Sequence, residues 1–193
     1  MDISLDTVKI LRDKTGVSIM QCRKALEEAE GDMDKAEVIL KKRSGAAADK
    51  KADRELGAGA IGTYVHDGVV GAMVLLSSET DFVSKNEEFG ELARAIAMHV
   101  AAVNPTYLSS EEISEDARKA ALAVFTEEVK DKPADMQEKI LEGKMASYFK
   151  DQVLLEQPFI RDESKTIRDL LNEATQKFGE RVEISRFARF SAR

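Results

Sequence analysis

Ile61–Leu76 reads IGTYVHDGVVGAMVLL, and its pattern decides the fold. Ile61, Thr63 and Val65 alternate with other residues at the two-residue period of a strand. Asp67-Gly68 is a dipeptide that accepts the two positive-φ positions of a tight hairpin turn. The apolar run Val69–Leu76 then returns as a second strand. Beyond the hairpin the period becomes helical: Phe89, Leu92, Ile96, Val100 and Val103 share one face until Asn104-Pro105 ends it. A hairpin beside long helices predicts an α+β core, with a small antiparallel sheet packed against helices.

Working outward, helices are predicted over 114–130 and 135–150, parted by Lys132-Pro133. A short apolar strand at 153–155, a helix near 165–178 stopped by Gly179, and a closing strand over about 181–190 complete the core. Upstream, residues 3–43 read as three short helices. Leu5, Val8 and Leu11 mark the first, which Thr15-Gly16 breaks. Ser18 with Gln21 has the form of a capping box opening the second, whose inner stripe is Ile19, Cys22, Leu26 and Ala29. Gly31 closes it, and Asp32 caps a third with inner residues Met33, Ala36 and Leu40. Ser44–Gly57, SGAAADKKADRELG, lacks apolar periodicity and reads as a linker, in part helical. The division is thus 1–44 as a three-helix domain, 45–58 as linker and 59–193 as the α+β core. Three helices in about 40 residues bury little, so the module relies on its neighbour or a partner.

Composition limits the chemistry. Hydrophobic residues are 43% and charged residues 34% of the 193, as in a soluble globular protein. Val69–Leu76 is far shorter than the roughly 20 residues a membrane helix needs. Met1, Asp2, Ile3 and Ser4 give neither a basic head nor an apolar stretch, so no signal peptide and a cytoplasmic location are expected. Cys22 is the single cysteine and His66 and His99 the only histidines, so neither a disulfide within the chain, a zinc site nor a cofactor is expected. A net charge of −7 disfavours direct nucleic-acid binding. The exception is local: Arg181, Arg186, Arg189 and Arg193 interleave with Phe187 and Phe190, which suits either an RNA surface or a charged edge strand.

P-loop, zinc and nucleophile-elbow motifs are absent from the sequence. Gly57-Ala58-Gly59-Ala60-Ile61-Gly62 fits G-x-G-x-x-G, with Asp81 about 20 residues on. That fingerprint needs a strand leading in and a helix leading out. Here a charged linker leads in and a hairpin leads out, so the glycines are read as relieving crowding at the hairpin's start. His66 beside the turn and His99 on its helix's apolar side are read as structural rather than catalytic.

Two apolar side chains stand out of place. At about 100° per residue, Met20 falls nearly opposite the second helix's inner stripe, among Arg23, Lys24 and Glu27. It is either a partner contact or one of the scattered exposed apolar residues common on surfaces. In Glu79–Asn86, Ser84 and Glu87 are spaced as a capping box, which places Phe82 in a polar turn just before the long helix. Its ring either folds back, since burial is worth about 1.5–3 kcal/mol, or projects for use elsewhere.

These two places also carry a resemblance. Leu11–Leu26, LRDKTGVSIMQCRKAL, and Leu76–Lys85, LSSETDFVSK, resemble the two signatures of the elongation factor Ts family. Leu154–Leu171, LLEQPFIRDESKTIRDLL, and Lys132–Lys144, KPADMQEKILEGK, are similar to its C-terminal region. Leu75 and Ser77-Ser78 depart from the glutamate and the asparagine-cysteine pair often found there, which bears on hairpin packing. The resemblance implies a non-enzymatic exchange factor that binds elongation factor Tu and promotes release of its GDP. Arg12, Ile19 and Met20 would dock, and Thr80, Asp81, Phe82 and Val83 would form the intruding turn, with Phe82 a wedge. Many members carry two copies of the core. This chain has room for one, which implies a homodimer, with edge strands such as 181–190 a natural place for pairing. The three-helix module also resembles ubiquitin-associated domains, so the alternative is an adaptor without exchange activity. An enzyme of unrecognised type is the remaining rival.

Overall fold

The computed structural model describes residues 3–130 and 133–192, without the side chains of 134 and 135. Met1 and Asp2 of the N-terminal reading, Lys132 of the Lys132-Pro133 break and of the Lys132–Lys144 resemblance, and Arg193 of the basic C-terminal row lie outside the described residues.

The N-terminal module is α1 (Leu5–Thr15), α2 (Ile19–Glu28) and α3 (Met33–Asp49). Its boundaries follow local chemistry. The Ser4 hydroxyl accepts from the Thr7 N–H at 3.1 Å, and Gly16, at φ 67°, closes α1 by donating to the Arg12 carbonyl. Ser18 caps α2, and Asp32 caps α3 by accepting from the Lys35 N–H at 3.0 Å. Val8, Leu11, Cys22, Ala25, Leu26, Ala36 and Leu40 form a core of the module's own. Leu5 and Ile19 correct the expected inner faces, since both are exposed. Each is the first residue of its helix, and helical side chains lean toward the N-terminus, so these two point past the end of the core. The third helix continues beyond 44, through the alanine-rich start of the expected linker to Asp49. Its last turns lie against α8 (Ile167–Phe178), and Ser44 is buried there.

The core is built on β1 (Ala58–His66) and β2 (Val70–Ser78), joined by a turn with Asp67 at φ 49° and Gly68 at φ 69°. The closing strand β5 (Val182–Ser191) pairs antiparallel with β2, giving the order β1-β2-β5. One face of this sheet is covered by α5 (Glu87–Val103), through Phe89, Ala93, Ile96, Ala97 and Val100. A Cβ on Gly62 would lie 2.1 Å from the Ala93 carbonyl carbon, so glycine is what lets α5 reach β1. A Cβ on Gly59 would lie 2.7 Å from the Leu76 carbonyl oxygen, the crowding expected of these glycines. The apolar members of the β1 alternation face away from α5: Ile61 and Val65 are exposed, while Gly62 is buried. A bulge at Leu75/Leu76 shifts the β5 register, so Val182 and Ile184 before it, and Phe187 after it, all face inward.

Between α5 and the sheet's last strand lie α6 (Glu115–Val129) and α7 (Ala134–Lys150), two adjoining helices over a small cluster of Ile113, Ala121, Phe149 and Val153. The expected strand at 153–155 is absent. Val153 makes a single parallel bridge to Tyr107, and Leu154–Glu156 turns as a 3-10 helix that buries Leu154. In its place stand two short strands, β3 (Pro158–Phe159) and β4 (Asp162–Thr166), whose sequence has no apolar alternation to announce them. Thr166 and Asp169 form a capping box that opens α8. No helix of the described residues is long and apolar enough to cross a membrane.

Candidate partner interface

Strand β2 ends at Ser78, and the chain turns through Glu79 and Thr80 into the one-turn helix α4 (Asp81–Ser84). The long helix starts only at Glu87, capped by Asn86, which accepts from the Glu88 N–H at 2.9 Å. The expected cap at Ser84 is therefore corrected: its hydroxyl turns back to the Asp81 carbonyl, and this closes α4 as a separate turn.

That turn sends neighbouring side chains in opposite directions. Val83 is 4% exposed and packs in the main core, anchoring the turn from beneath. Phe82 is 83% exposed, the highest value among the large apolar residues of the described chain. Its ring projects rather than folds back. Asp81 is also exposed and accepts from Lys85 Nζ at 2.6 Å; that hydrogen bond and the ammonium charge hold its carboxyl below the usual range and raise the lysine.

The turn is held from outside itself. The Thr80 N–H donates to Glu180 Oε2 at 2.9 Å and its hydroxyl to Glu180 Oε1 at 2.6 Å. The Ser78 hydroxyl donates to the Thr80 carbonyl at 3.0 Å, so this departure from the family pattern bears on the turn as well as on the hairpin. Glu79 accepts from the Arg181 N–H at 2.6 Å, and Arg54 reaches both its oxygens at 3.2 Å. Burial works to raise the Glu79 carboxyl, but these donors outweigh it and leave it below its ordinary value. Glu180 is not legible in the sequence, because its partner stands 100 residues away and nothing in the flanking Gly179 marks it.

In the N-terminal module, Met20 is 68% exposed and Ile19 51%, side by side where α2 begins. Arg12 lies exposed in the last turn of α1, 3.8 Å from the Asp13 carboxylate. The module is fixed to the core along α8: Lys41 pairs with Asp169 at 2.8 Å, and Gln176 donates to Gln21, the neighbour of Met20, at 3.2 Å.

The histidines take the structural places expected of them. His99 is fully buried; its Nδ1 accepts from the Ile160 N–H at 3.3 Å, which leaves Nε2 to donate to Gln157 Oε1 at 2.9 Å. His66 is exposed beside the hairpin turn, with Tyr64 Oη at 3.1 Å from Nδ1. The basic C-terminal strand does not present a row of free cations. Arg181 is turned to Glu183 and the Arg54 carbonyl, Arg189 donates to the Ala101 carbonyl, and only Arg186 of the three described is left exposed. Among the described residues no group of three or more His, Cys, Asp or Glu is placed to hold a metal ion.

These features define a class: an α+β protein with a helical module fixed to its core and a lone aromatic presented on a braced turn. Residues 47–193 match the family model described as elongation factor TS. Similar full-length proteins, each named elongation factor Ts, come from Thermosipho melanesiensis, Fervidobacterium nodosum and Thermotoga maritima. They are 46%, 45% and 44% identical, covering 98% of this chain and 98%, 98% and 96% of theirs. The chain belongs to the elongation factor Ts family, the nucleotide exchange factors of elongation factor Tu. The adaptor alternative is not favoured, because the family match covers the core rather than the helical module alone.

Proposed function

We propose that this chain docks on elongation factor Tu through Arg12, Ile19 and Met20, and loosens its GDP by bringing Asp81 and Phe82 against the magnesium and phosphate site. Thr80 belongs to the same turn, with Val83 beneath it as the anchor. A translational GTPase holds GDP through main-chain amides of its P-loop and a magnesium ion that offsets phosphate charge. A ring wedged between the partner's helices, next to a carboxylate, displaces those contacts without any bond being made or broken in this chain. The complex then favours the empty GTPase, and by linkage GDP or GTP weakens the factor's grip by the same ratio. Reloading with GTP releases the factor.

The observation that carries this reading is the exposed Phe82 ring on a turn anchored by buried Val83. A free aromatic costs little to hold when its backbone is already ordered, so binding does not have to order it. Stopped-flow release of a fluorescent GDP analogue from elongation factor Tu tests it. Addition of this protein accelerates release by orders of magnitude, and an unchanged rate refutes the reading.

Two copies acting together are part of the proposal. Ile61, Val65, Met73 and Phe190 are exposed on the sheet face opposite α5, and β1 and β5 are its two edges. A second copy laid on that face buries them, and supplies the second core that longer members carry. No cofactor, metal, membrane or direct nucleic-acid contact enters this scheme, and the cytoplasm, where translation runs, is its compartment.

A further inference from the structure

The corner between α8 and β5 touches every part that the exchange reading requires to be in register. Gln176 donates to Gln21 beside Met20, and Lys177 lies along Gly16 at the end of α1 while pairing with Glu88 at the start of α5 at 2.8 Å. Glu180 then grips Thr80 through both its N–H and its hydroxyl, and the next N–H, of Arg181, grips Glu79. The Arg181 side chain donates to the Arg54 carbonyl, and Arg54 returns to Glu79, so the segment leading out of α3 is tied to the same knot. At its far end that segment runs so close that a Cβ on Gly57 would lie 3.0 Å from the Glu79 carbonyl oxygen.

From this geometry we propose that Glu180 is a positioning residue for nucleotide exchange, acting through Thr80 to hold Phe82 at a fixed place relative to the docking module. This rests on the exchange reading above, and adds to it the residue that sets the wedge. The bonds that Glu180 makes are to Thr80, next to Asp81 and Phe82 in sequence. Its two carboxylate oxygens are both engaged by Thr80, the residue on which α4 starts. A carboxylate that accepts from a main-chain N–H and a hydroxyl at once fixes both position and rotation of that residue. Without it, α4 keeps its anchor at Val83 and the Ser78 bond to the Thr80 carbonyl but loses both bonds to the Thr80 N–H and hydroxyl, so the turn loosens and the ring samples orientations that miss the partner's pocket.

The test is a double-mutant cycle on full-length protein, with Glu180→Ala, Phe82→Ala and the pair, read as GDP-analogue release from elongation factor Tu across factor concentrations. Glu180→Ala lowers the saturating release rate about fivefold to tenfold while the half-saturating concentration stays within about twofold, because Arg12, Ile19 and Met20 still dock. In the Phe82→Ala background the same change costs nothing further. Glu180→Gln keeps one acceptor oxygen and recovers part of the rate, and circular dichroism and melting of each variant identify any loss of fold. Should Glu180→Ala fail to fold, Glu180→Gln carries the comparison in its place. An unaltered saturating rate, or a loss that adds fully to that of Phe82→Ala, overturns the role of Glu180 while leaving the wedge intact. A full rate in Phe82→Ala alone removes the exchange reading and this proposal with it.

Discussion

Phe82 and Val83 are adjacent on one helical turn, yet burial assigns them opposite work, and single substitutions separate the two. Phe82→Ala removes a side chain that touches solvent over most of its surface, so the melting temperature stays within about 1–2 °C of the parent. The GDP-release rate falls by tenfold or more, since the wedge is gone. Val83→Ala opens a hole in the main core and costs about 2 kcal/mol of stability, seen as a lower midpoint in urea with an unchanged slope. Its specific exchange rate, per folded molecule, falls by much less than that of Phe82→Ala, because the ring is kept and only its anchor is loosened. A sharp drop in melting temperature for Phe82→Ala with exchange intact would show that the ring works for the fold and not for a partner. His99 makes a different kind of prediction. Burial lowers its proton affinity against the opposing pull of Gln157, and protonation would break the Ile160 N–H bond to Nδ1. The folded state therefore binds the proton less readily than the unfolded chain, so His99 favours the fold above the ordinary histidine range and less as pH falls through it. Denaturant midpoints decline from pH 7.5 to 5.5 in the parent, and this part of the decline is missing in His99→Gln.

At the scale of elements, what could be read in advance was whatever neighbours in sequence dictate. The Asp67-Gly68 turn, the caps at Ser18 and Asp32 and the stops at Gly16 and Gly179 were legible, because each satisfies backbone groups within a few residues. The α5 helix was legible from its stripe, though not its start at Asn86, since Ser84 offered an equally good capping pattern. Features that depend on distant partners were not legible. The Ile61 and Val65 alternation shows a strand but not which face is covered; Gly62 marks that face, because a Cβ there would meet the Ala93 backbone where α5 comes closest to β1. The direction of Phe82 and the grip of Glu180 on Thr80 likewise depend on strands that meet only in the folded sheet. Gly62→Ala tests this point: its new Cβ meets the Ala93 carbonyl, α5 must lift from β1, and stability falls by about 2 kcal/mol or more. Gly68→Ala, in open space but at positive φ, costs only about 1 kcal/mol by comparison.

At the scale of the molecule, the proposed pairing of two copies rests on the uncovered sheet face. The register places Ile61, Leu75 and Arg186 in one row, Thr63, Met73 and Ala188 in the next, and Val65, Gly71 and Phe190 in the third. Apolar side chains in adjacent rows make a continuous patch, and such patches on small proteins mark contact surfaces more often than not. A second copy suits it because the rows are nearly as wide as the sheet and carry few charges, so a two-fold pairing meets apolar with apolar and leaves Arg186 toward the rim. The chain then sediments at micromolar concentration with twice its mass of 21.4 kDa. Ile61→Lys with Met73→Lys places like charges on the face that a copy must cover, and brings the sedimentation to monomer mass while circular dichroism and the inner core are kept. If the parent already sediments as a monomer across that range, the patch has some other use and the single core must act alone on its GTPase. If instead the lysine pair abolishes the dimer but leaves GDP release untouched, pairing is real and exchange does not depend on it, because Phe82 and its brace at Glu180 both lie within one chain.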